Sequence, residues 1–250
     1  MNRLDFVLSD EELFALARRM DLLPKLLRRK QEESIAALVP YKDTELNDEK
    51  ELVLGKQNYQ QFIQARNWQD HDLDLEVKRR IALRRYAQQH YGPAIEEVFL
   101  ESSGQRDKVI YSLLRVRDLG LARELYLRLS EGEITFPDAA THFGEGPEAC
   151  HKGVLGPMTI GAIYPPIVRT WLRSLQPGEV KPPQDLDQWK VILRLEQLTP
   201  ARLDEDMRRN LLNEQLETFL DDRVQRQLRG EPLEPLHYDH APQSDDQIKT

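Results

Sequence analysis

The residue types best suited to chemistry are few in this sequence, and they lie far apart. Cys150 stands beside His151, a thiol next to a base, but neighbouring side chains in a loop rarely face each other, so an activated nucleophile is disfavoured. His237, Asp239 and His240 are metal-binding types, yet they fall in a polar tail. The sequence contains neither a glycine-rich phosphate loop nor a paired zinc-ligand motif, and it predicts no cofactor.

A run of basic residues is the other feature with chemical potential. Its members fall on one predicted helix: Lys78, Arg79, Arg80, Arg84 and Arg85. Two interpretations stay open: a solvated helix face, or a surface that binds an acidic partner. The net charge of −8 argues against a nucleic-acid partner, because phosphate binding needs a net basic face.

Composition sets the class of protein. With 40% hydrophobic and 31% charged residues over 250 positions, the chain is expected to fold around a sizeable core. No apolar run approaches the roughly 20 residues needed to cross a bilayer, so no membrane insertion is expected. Residues 1–8 lack the basic start and apolar stretch of a secretory signal, and the single cysteine cannot form an internal disulfide. These features predict a cytoplasmic protein and leave its oligomeric state open.

The first hundred residues are predicted to be helical. Ser9 and Glu12 form a capping-box pattern at the start, and a second helix is expected to end at Leu38. Apolar spacing over 52–63 predicts an amphipathic helix that would contain Gly55. Further helices are expected after it, and residues 200–228 carry one continuous apolar stripe that predicts a long last helix.

The middle of the chain has a different pattern, with short apolar segments rich in β-branched residues. The predicted elements are a strand at 109–114, helices at 119–129 and 136–143, at most one short strand within 144–166, a helix at 167–175, a strand from 180 that ends at the prolines 182 and 183, and a strand at 189–195. This β-α-α-β-α-β-β order predicts an α+β protein that is mostly helical, with a small antiparallel sheet.

Four motifs in this middle segment resemble the parvulin family of peptidyl-prolyl isomerases. They read GEITFPDAA at 132–140, GVLG at 153–156, LQPGEVKPP at 175–183 and WKVIL at 189–193. Each alone is weak, but four in the family's order over one segment are fairly specific.

The flanking helices extend the resemblance to bacterial chaperones of the SurA and PrsA kind, and most closely to small cytoplasmic relatives with a reduced isomerase domain. The resemblance implies four segments: a helical SurA-N-like domain at 1–107, a parvulin-like domain at 108–198, a C-terminal helix at 199–229 that packs on the N-terminal helices, and a disordered tail at 230–250.

Parvulins have a polar floor of two histidines and a cysteine or aspartate. The resemblance places the two histidine positions at Ser112 and Lys190, and the third position at Gly146, with Glu145 beside it. Ser112, Glu145 and Lys190 are therefore the candidate catalytic residues. Two interpretations stay open: a replacement floor in which Lys190 pairs with Glu145 under the bound amide, or an ordinary strand serine, a solvated glutamate and an outward lysine.

The apolar pocket above that floor is better retained. The resemblance assigns substrate binding to Met158, Ile163 and Ile167, with Val168 as the substitute if the helix is shifted by one residue. Such a pocket needs no nucleophile or metal, because holding the proline ring and favouring the twisted amide lowers the barrier to rotation. Apolar residues in this glycine-rich stretch could equally belong to the core.

The resemblance implies a parvulin-like prolyl isomerase or chaperone whose partners are unfolded or proline-containing polypeptides. Because the family's polar residues are substituted here, the resemblance implies weak or absent turnover. The alternatives are a non-catalytic peptide-binding chaperone and a dedicated partner of one peptide maturation or secretion system.

Overall fold

The computed structural model describes residues 9–239, and the chain divides into two compact units. Among these residues, the helical unit comprises 9–95 together with 205–239, and the sheet unit comprises 96–204. The first boundary differs from the expected 107/108, because the helix that precedes the first strand groups with the sheet by its contacts.

The helical unit is built on three long helices that pack against one another: α2, α5 and α10. Its helices are α1 (Asp10–Arg19), α2 (Leu23–Leu38), α3 (Asp43–Leu54), α4 (Tyr59–Arg66), α5 (Asp70–Tyr91) and α10 (Glu205–Leu228). Ile35, Leu73, Leu211 and Leu220 are fully buried at 0% exposure, so the apolar stripe of the last helix forms part of this core.

The helix ends follow local chemistry, with one departure from expectation. Ser9 and Glu12 form the expected capping box, since each side chain bonds the other residue's backbone N–H. The prediction of a single amphipathic helix over 52–63 is wrong. α3 ends at Gly55, whose φ of +58° suits a residue without Cβ, and α4 starts four residues later behind the Asn58 cap.

Ion pairs join the long helices, and the basic run supplies their cations. Glu76 is 8% exposed, and its carboxylate accepts from Arg79 Nη2 at 2.6 Å, from Arg80 Nε at 3.1 Å and from Arg29 Nη1 at 3.1 Å. Arg79 also bonds Glu32 of α2 at 2.9 Å. We call this set the Glu76 cluster.

The remaining arginines of the run also have partners. Arg84 pairs with Glu49 and Arg85 with Glu45, each at 2.5 Å, and both glutamates belong to α3. The run is therefore not a simple solvated face, because its arginines tie α5 to α2 and α3; binding of an acidic partner stays a prediction.

We expect Glu76→Gln to lower the free energy of unfolding by about 2–3 kcal/mol at pH 7, because it leaves partly buried guanidinium groups without their carboxylate. Burial alone raises the pKa of Glu76, but the hydrogen bonds from Arg79 and Arg80 outweigh it and hold the pKa below its ordinary value. The stabilisation is therefore complete above the unfolded-state pKa and is lost as the pH falls below it.

Urea unfolding of wild type and variant between pH 3 and pH 7 checks this prediction. The difference between the two proteins should shrink toward the acid end. Glu51→Gln, an exposed position on α3, is the control and should change stability by less than about 0.5 kcal/mol. A difference that is constant across this range would contradict the assigned role of the carboxylate.

The sheet unit contains a four-stranded antiparallel sheet in the order β2-β1-β4-β3. Its strands are β1 (Lys108–Val116), β2 (Val154–Thr159), β3 (Val180–Leu186) and β4 (Trp189–Thr199), and its helices are α6 (Ile95–Arg106), α7 (Leu119–Ser130), α8 (Phe136–Phe143) and α9 (Pro166–Arg173). The mostly helical α+β class is confirmed.

The third strand departs from expectation. It was expected to end at Pro182-Pro183, but it continues to Leu186, with a shift of register between Lys181 and Gln184. β3 is an edge strand, and an edge tolerates proline because one side of the strand needs no ladder donors.

The segment after α10 has no regular secondary structure up to Asp239, yet it contacts the helical unit. Arg226 donates to the carbonyl of Pro232 at 2.7 Å, Arg223 to that of Glu234 at 2.9 Å, and Gln89 to that of Asp239 at 3.0 Å. The prediction of a disordered tail therefore does not hold for residues 231–239. Residues 240–250, which include His240, lie outside the described residues.

Candidate functional site

Alternation along β1 and β4 sorts their side chains onto two faces of the sheet. On one face, Tyr111 and Leu193 pack with residues of α9; we call it the α9 face. On the other face, Leu114 and Ile192 pack with residues of α7 and α8; we call it the α8 face. Any site on this sheet belongs to one face or the other.

Ser112 lies on the α8 face. It is opposite Arg194 in the register, and the Arg194 guanidinium lies 5.3 Å from the ring centre of Phe136 on α8. Ser112 is fully buried, and its hydroxyl donates to the carboxylate of Glu196, which also accepts from Arg194 Nε at 2.8 Å. The serine thus completes a polar cluster beneath α8.

The other two candidate catalytic residues have separate partners. Lys190 is opposite Val116 of the α8-face core, and its ammonium group pairs with Asp185 of β3. Glu145 is exposed and accepts from the backbone N–H of Arg117 at 2.9 Å. The structure does not bring Ser112, Glu145 and Lys190 together, and the Lys190–Glu145 pair of the replacement-floor interpretation is wrong.

The four substrate-binding candidates divide into core and surface. Ile163 and Val168 are 3% and 4% exposed and belong to the core beneath the α9 face. Met158 of β2 is partly buried against the same core, whereas Ile167 is 44% exposed. Met158 and Ile167 are therefore the two that present apolar surface to a ligand.

Further apolar side chains extend the surface around Met158. Leu113, Leu155 and Trp189 are partly buried against the α9-face core, and the register places Met158 beside Val109 and Leu155 beside Tyr111. Tyr164, which follows Ile163, is 85% exposed. Met158 and Leu155 lie at the levels of Val109 and Tyr111, whereas Trp189 lies beyond the Val116–Lys190 pair at the other end of β1. Partly exposed apolar side chains of this kind can bind an unfolded segment.

A buried ion pair lies on the same face, and sequence reasoning missed it. Arg115 of β1 and Glu148 of the short 3-10 helix Pro147–His151 form a bidentate pair, with Nε–Oε1 at 2.8 Å and Nη2–Oε2 at 2.5 Å. The hydrogen bond to Glu148 raises the pKa of Arg115. Burial raises the pKa of the nearby Tyr111, and the charge of Glu148 adds to that effect.

Gly146 explains why the pair fits there. A Cβ added to Gly146 would lie 2.3 and 2.5 Å from the carboxylate oxygens of Glu148 and 2.5 Å from Arg115 Nε. The backbone at Gly146 is extended, with φ −93° and ψ 164°, so conformation does not require glycine there. The resemblance to parvulins expects a cysteine or aspartate at this position; here the Glu148 carboxylate and Arg115 Nε take the space that such a side chain would need.

The remaining chemical candidates contribute nothing to this site. Within residues 9–239 no cluster of three histidine, cysteine or acidic side chains could hold a metal ion. Cys150 is exposed and free. In the same part of the chain, no helix combines the length and apolar character that crossing a membrane requires.

No family model matches the sequence, and no curated protein matches it either. Some solved structures match the chain, and peptidyl-prolyl isomerases are among them. The chain is similar to PrsA. PrsA of Bacillus anthracis is 16% identical, with 84% of this chain and 100% of that chain covered and a TM-score of 0.44. The foldase PrsA of Streptococcus pneumoniae is 12% identical, with 94% of each chain covered and a TM-score of 0.45.

A SurA-like chaperone of Campylobacter jejuni is similar over 92% of this chain and 88% of its own, with 13% identity and a TM-score of 0.37. The suspected likeness to PrsA and SurA is thus matched by the solved structures. At these identities and TM-scores, neither PrsA nor SurA transfers a residue role or an activity to this chain.

We expect Ser112→Ala to lower the free energy of unfolding by about 1 kcal/mol, because the partly buried Glu196 carboxylate loses one donor and keeps Arg194. Urea unfolding measures the change. Ser130→Ala, at the exposed end of α7, is the matched control. A loss no larger than that of the control would show that the serine hydroxyl is not needed by the cluster.

Proposed function

We propose that this chain is a parvulin-like prolyl isomerase or chaperone that binds proline-containing segments of unfolded polypeptide on the α9 face. The observation that carries the proposal is the set of partly buried apolar side chains on the α9 face, Met158 and Leu155 on β2 and Leu113 on β1, with the Arg115–Glu148 pair on the same face of β1. The β2-β1-β4-β3 sheet with α7 and α8 on one face and α9 on the other supports it.

Prolyl isomerisation requires few chemical groups of such a surface. Rotation about an X-Pro bond crosses a barrier of about 18–20 kcal/mol because the amide resonance must be broken. Apolar side chains that hold the proline ring favour a peptide geometry in which the bond can twist, and no nucleophile or metal is required. Met158 and Leu155 on β2 are suited to this role because they are neither sealed in the core nor fully solvated.

A second candidate function, a peptide-binding chaperone without turnover, is favoured by the surface of the helical unit. Leu13, Phe14 and Met20 of α1 and its C-cap are 50–58% exposed, and Leu26 of α2 is 54% exposed. Large apolar side chains grouped at a surface are typical of sites that bind other polypeptides. The role of dedicated partner to a single peptide or secretion system stays a prediction.

The cytoplasmic location stays a prediction as well. The Campylobacter jejuni chaperones with a similar structure include a periplasmic protein. Cell fractionation of the untagged protein, with cytoplasmic and periplasmic marker enzymes, decides the location.

We expect Met158→Ala to lower kcat/KM for cis-trans isomerisation of a proline tetrapeptide by roughly tenfold, because about 1.4 kcal/mol of apolar contact is lost. Leu127→Ala removes a leucine side chain from the exposed side of α7 and should change kcat/KM by less than twofold. Absence of any rate above buffer with wild type at high concentration would rule out the isomerase.

Aggregation assays separate the two candidate functions. If the α9 face is the binding surface, Met158→Ala should weaken suppression of aggregation of a denatured client, and Phe14→Ser should not. The reverse result would place client binding on the helical unit. Circular dichroism must first show that both variants keep the wild-type helical content.

A further inference from the structure

Glu148 is the most deeply buried charged side chain of the sheet unit, at 4% exposure, and its only described ion pair is with Arg115. Removing two charges from water is costly, and a buried pair often contributes no net stability. The pair joins β1 to a short 3-10 helix that already has backbone bonds to its surroundings, such as Gly153 N–H to the Glu148 carbonyl at 2.9 Å. Its position on the α9 face suggests a further role.

The cation of this pair is only partly buried. The Arg115 side chain is 26% exposed, while that of Glu148 is 3% exposed. The guanidinium lies 5.8 Å from the ring centre of Trp189, and Arg115 is two residues from Leu113 on the same face of β1. A peptide that covers Leu113 and Trp189 would therefore come within reach of the guanidinium.

Glu148 binds two of the three nitrogen atoms of the Arg115 guanidinium. Its Nε and Nη2 atoms bond the two carboxylate oxygens of Glu148, and no described residue accepts a hydrogen bond from Nη1. Because a guanidinium has five N–H groups in a fixed plane, the two bonds to Glu148 fix the direction in which the others point. The pair is thus a donor that is already oriented before a ligand binds.

We propose that Arg115, oriented by Glu148, donates a hydrogen bond to the X-Pro amide of the bound peptide, and that this pair serves in place of the polar side chain absent at Gly146. The inference rests on the proposed function and names residues for it. When the amide twists, its nitrogen lone pair is no longer delocalised and becomes a better acceptor. A fixed donor therefore binds the twisted amide more strongly than either planar form, and it raises kcat more than it lowers KM.

Four variants test the proposal with a proline tetrapeptide, Ala-Ala-Pro-Phe, as substrate. Arg115→Met should lower kcat at least tenfold per folded molecule and leave KM within about twofold, whereas Arg115→Lys should lose less because it keeps a donor. Glu148→Ala alone removes the carboxylate, and Gly146→Asp combined with Glu148→Ala supplies another carboxylate next to the same guanidinium. Of the three closest atoms to a Cβ at residue 146, two belong to the Glu148 carboxylate and are removed, and the third, Arg115 Nε at 2.5 Å, must shift. The double variant should therefore recover part of the activity lost in Glu148→Ala alone.

A purely structural role predicts a different outcome. If the pair only anchors the 3-10 helix, all variants should lower the melting temperature while kcat per folded molecule stays at the wild-type value. That result overturns the inference. Arg115→Lys and the double variant keep a charge pair, so the test stands even if Arg115→Met does not fold.

Titration of the isotope-labelled wild-type protein with the same unlabelled peptide separates this inference from the proposed function. Shifts in the Leu113 and Met158 resonances report binding on the α9 face, and a shift of the Arg115 Nε–H resonance reports contact with the donor. Binding without the Arg115 shift, or binding without turnover, overturns this inference and leaves the peptide-binding chaperone standing. If no resonance of the sheet unit moves, both the inference and the proposed binding on the α9 face are overturned.

Discussion

The pairing of β1 with β4 determines what the sheet unit can do. The two central strands pair along their length, and their side chains alternate between the α9 face and the α8 face. A slip of one residue would exchange the two sets and would carry Arg115 away from Glu148. The register of one strand pair therefore decides both which side chains form the two cores and which face has the polar pair.

In the helical unit, apolar burial and ion pairs together determine how the helices pack. Its long helices bury apolar stripes against one another, and the Glu76 cluster adds charges that fit in only one arrangement. A buried carboxylate with several arginine partners contributes little net stability, but it penalises any packing in which those partners separate. The helical unit can thus keep exposed leucines on α1 and α2 without loss of a defined fold.

Much of the fold follows from local sequence signals. α8 lies where the pattern placed it, because Thr135 caps its first turn and Pro137 fits there without a missing hydrogen bond. The predicted β3 ends too early, because proline argues against an interior strand. The sheet order shows that this strand is at an edge, where proline is tolerated.

The site was harder to predict than the fold for a geometric reason. The resemblance names Ser112 and Lys190 as site residues, but a motif does not state on which face of a strand a side chain lies, and both of these residues lie on the α8 face. Arg115 and Glu148 are 33 residues apart, and each on its own resembles an ordinary charged surface residue. Their partnership depends on the loop that brings the 3-10 helix over the sheet, which no local pattern specifies.

The crowding at Gly146 limits which residue this position can hold. A Cβ there would lie within 2.5 Å of the Glu148 carboxylate and of Arg115 Nε, so even alanine must displace a member of the ion pair. The backbone there is extended and any residue can adopt it, so the demand for glycine comes from the neighbouring side chains and not from the turn. An ion pair thus dictates the residue type of a position to which neither partner is bonded.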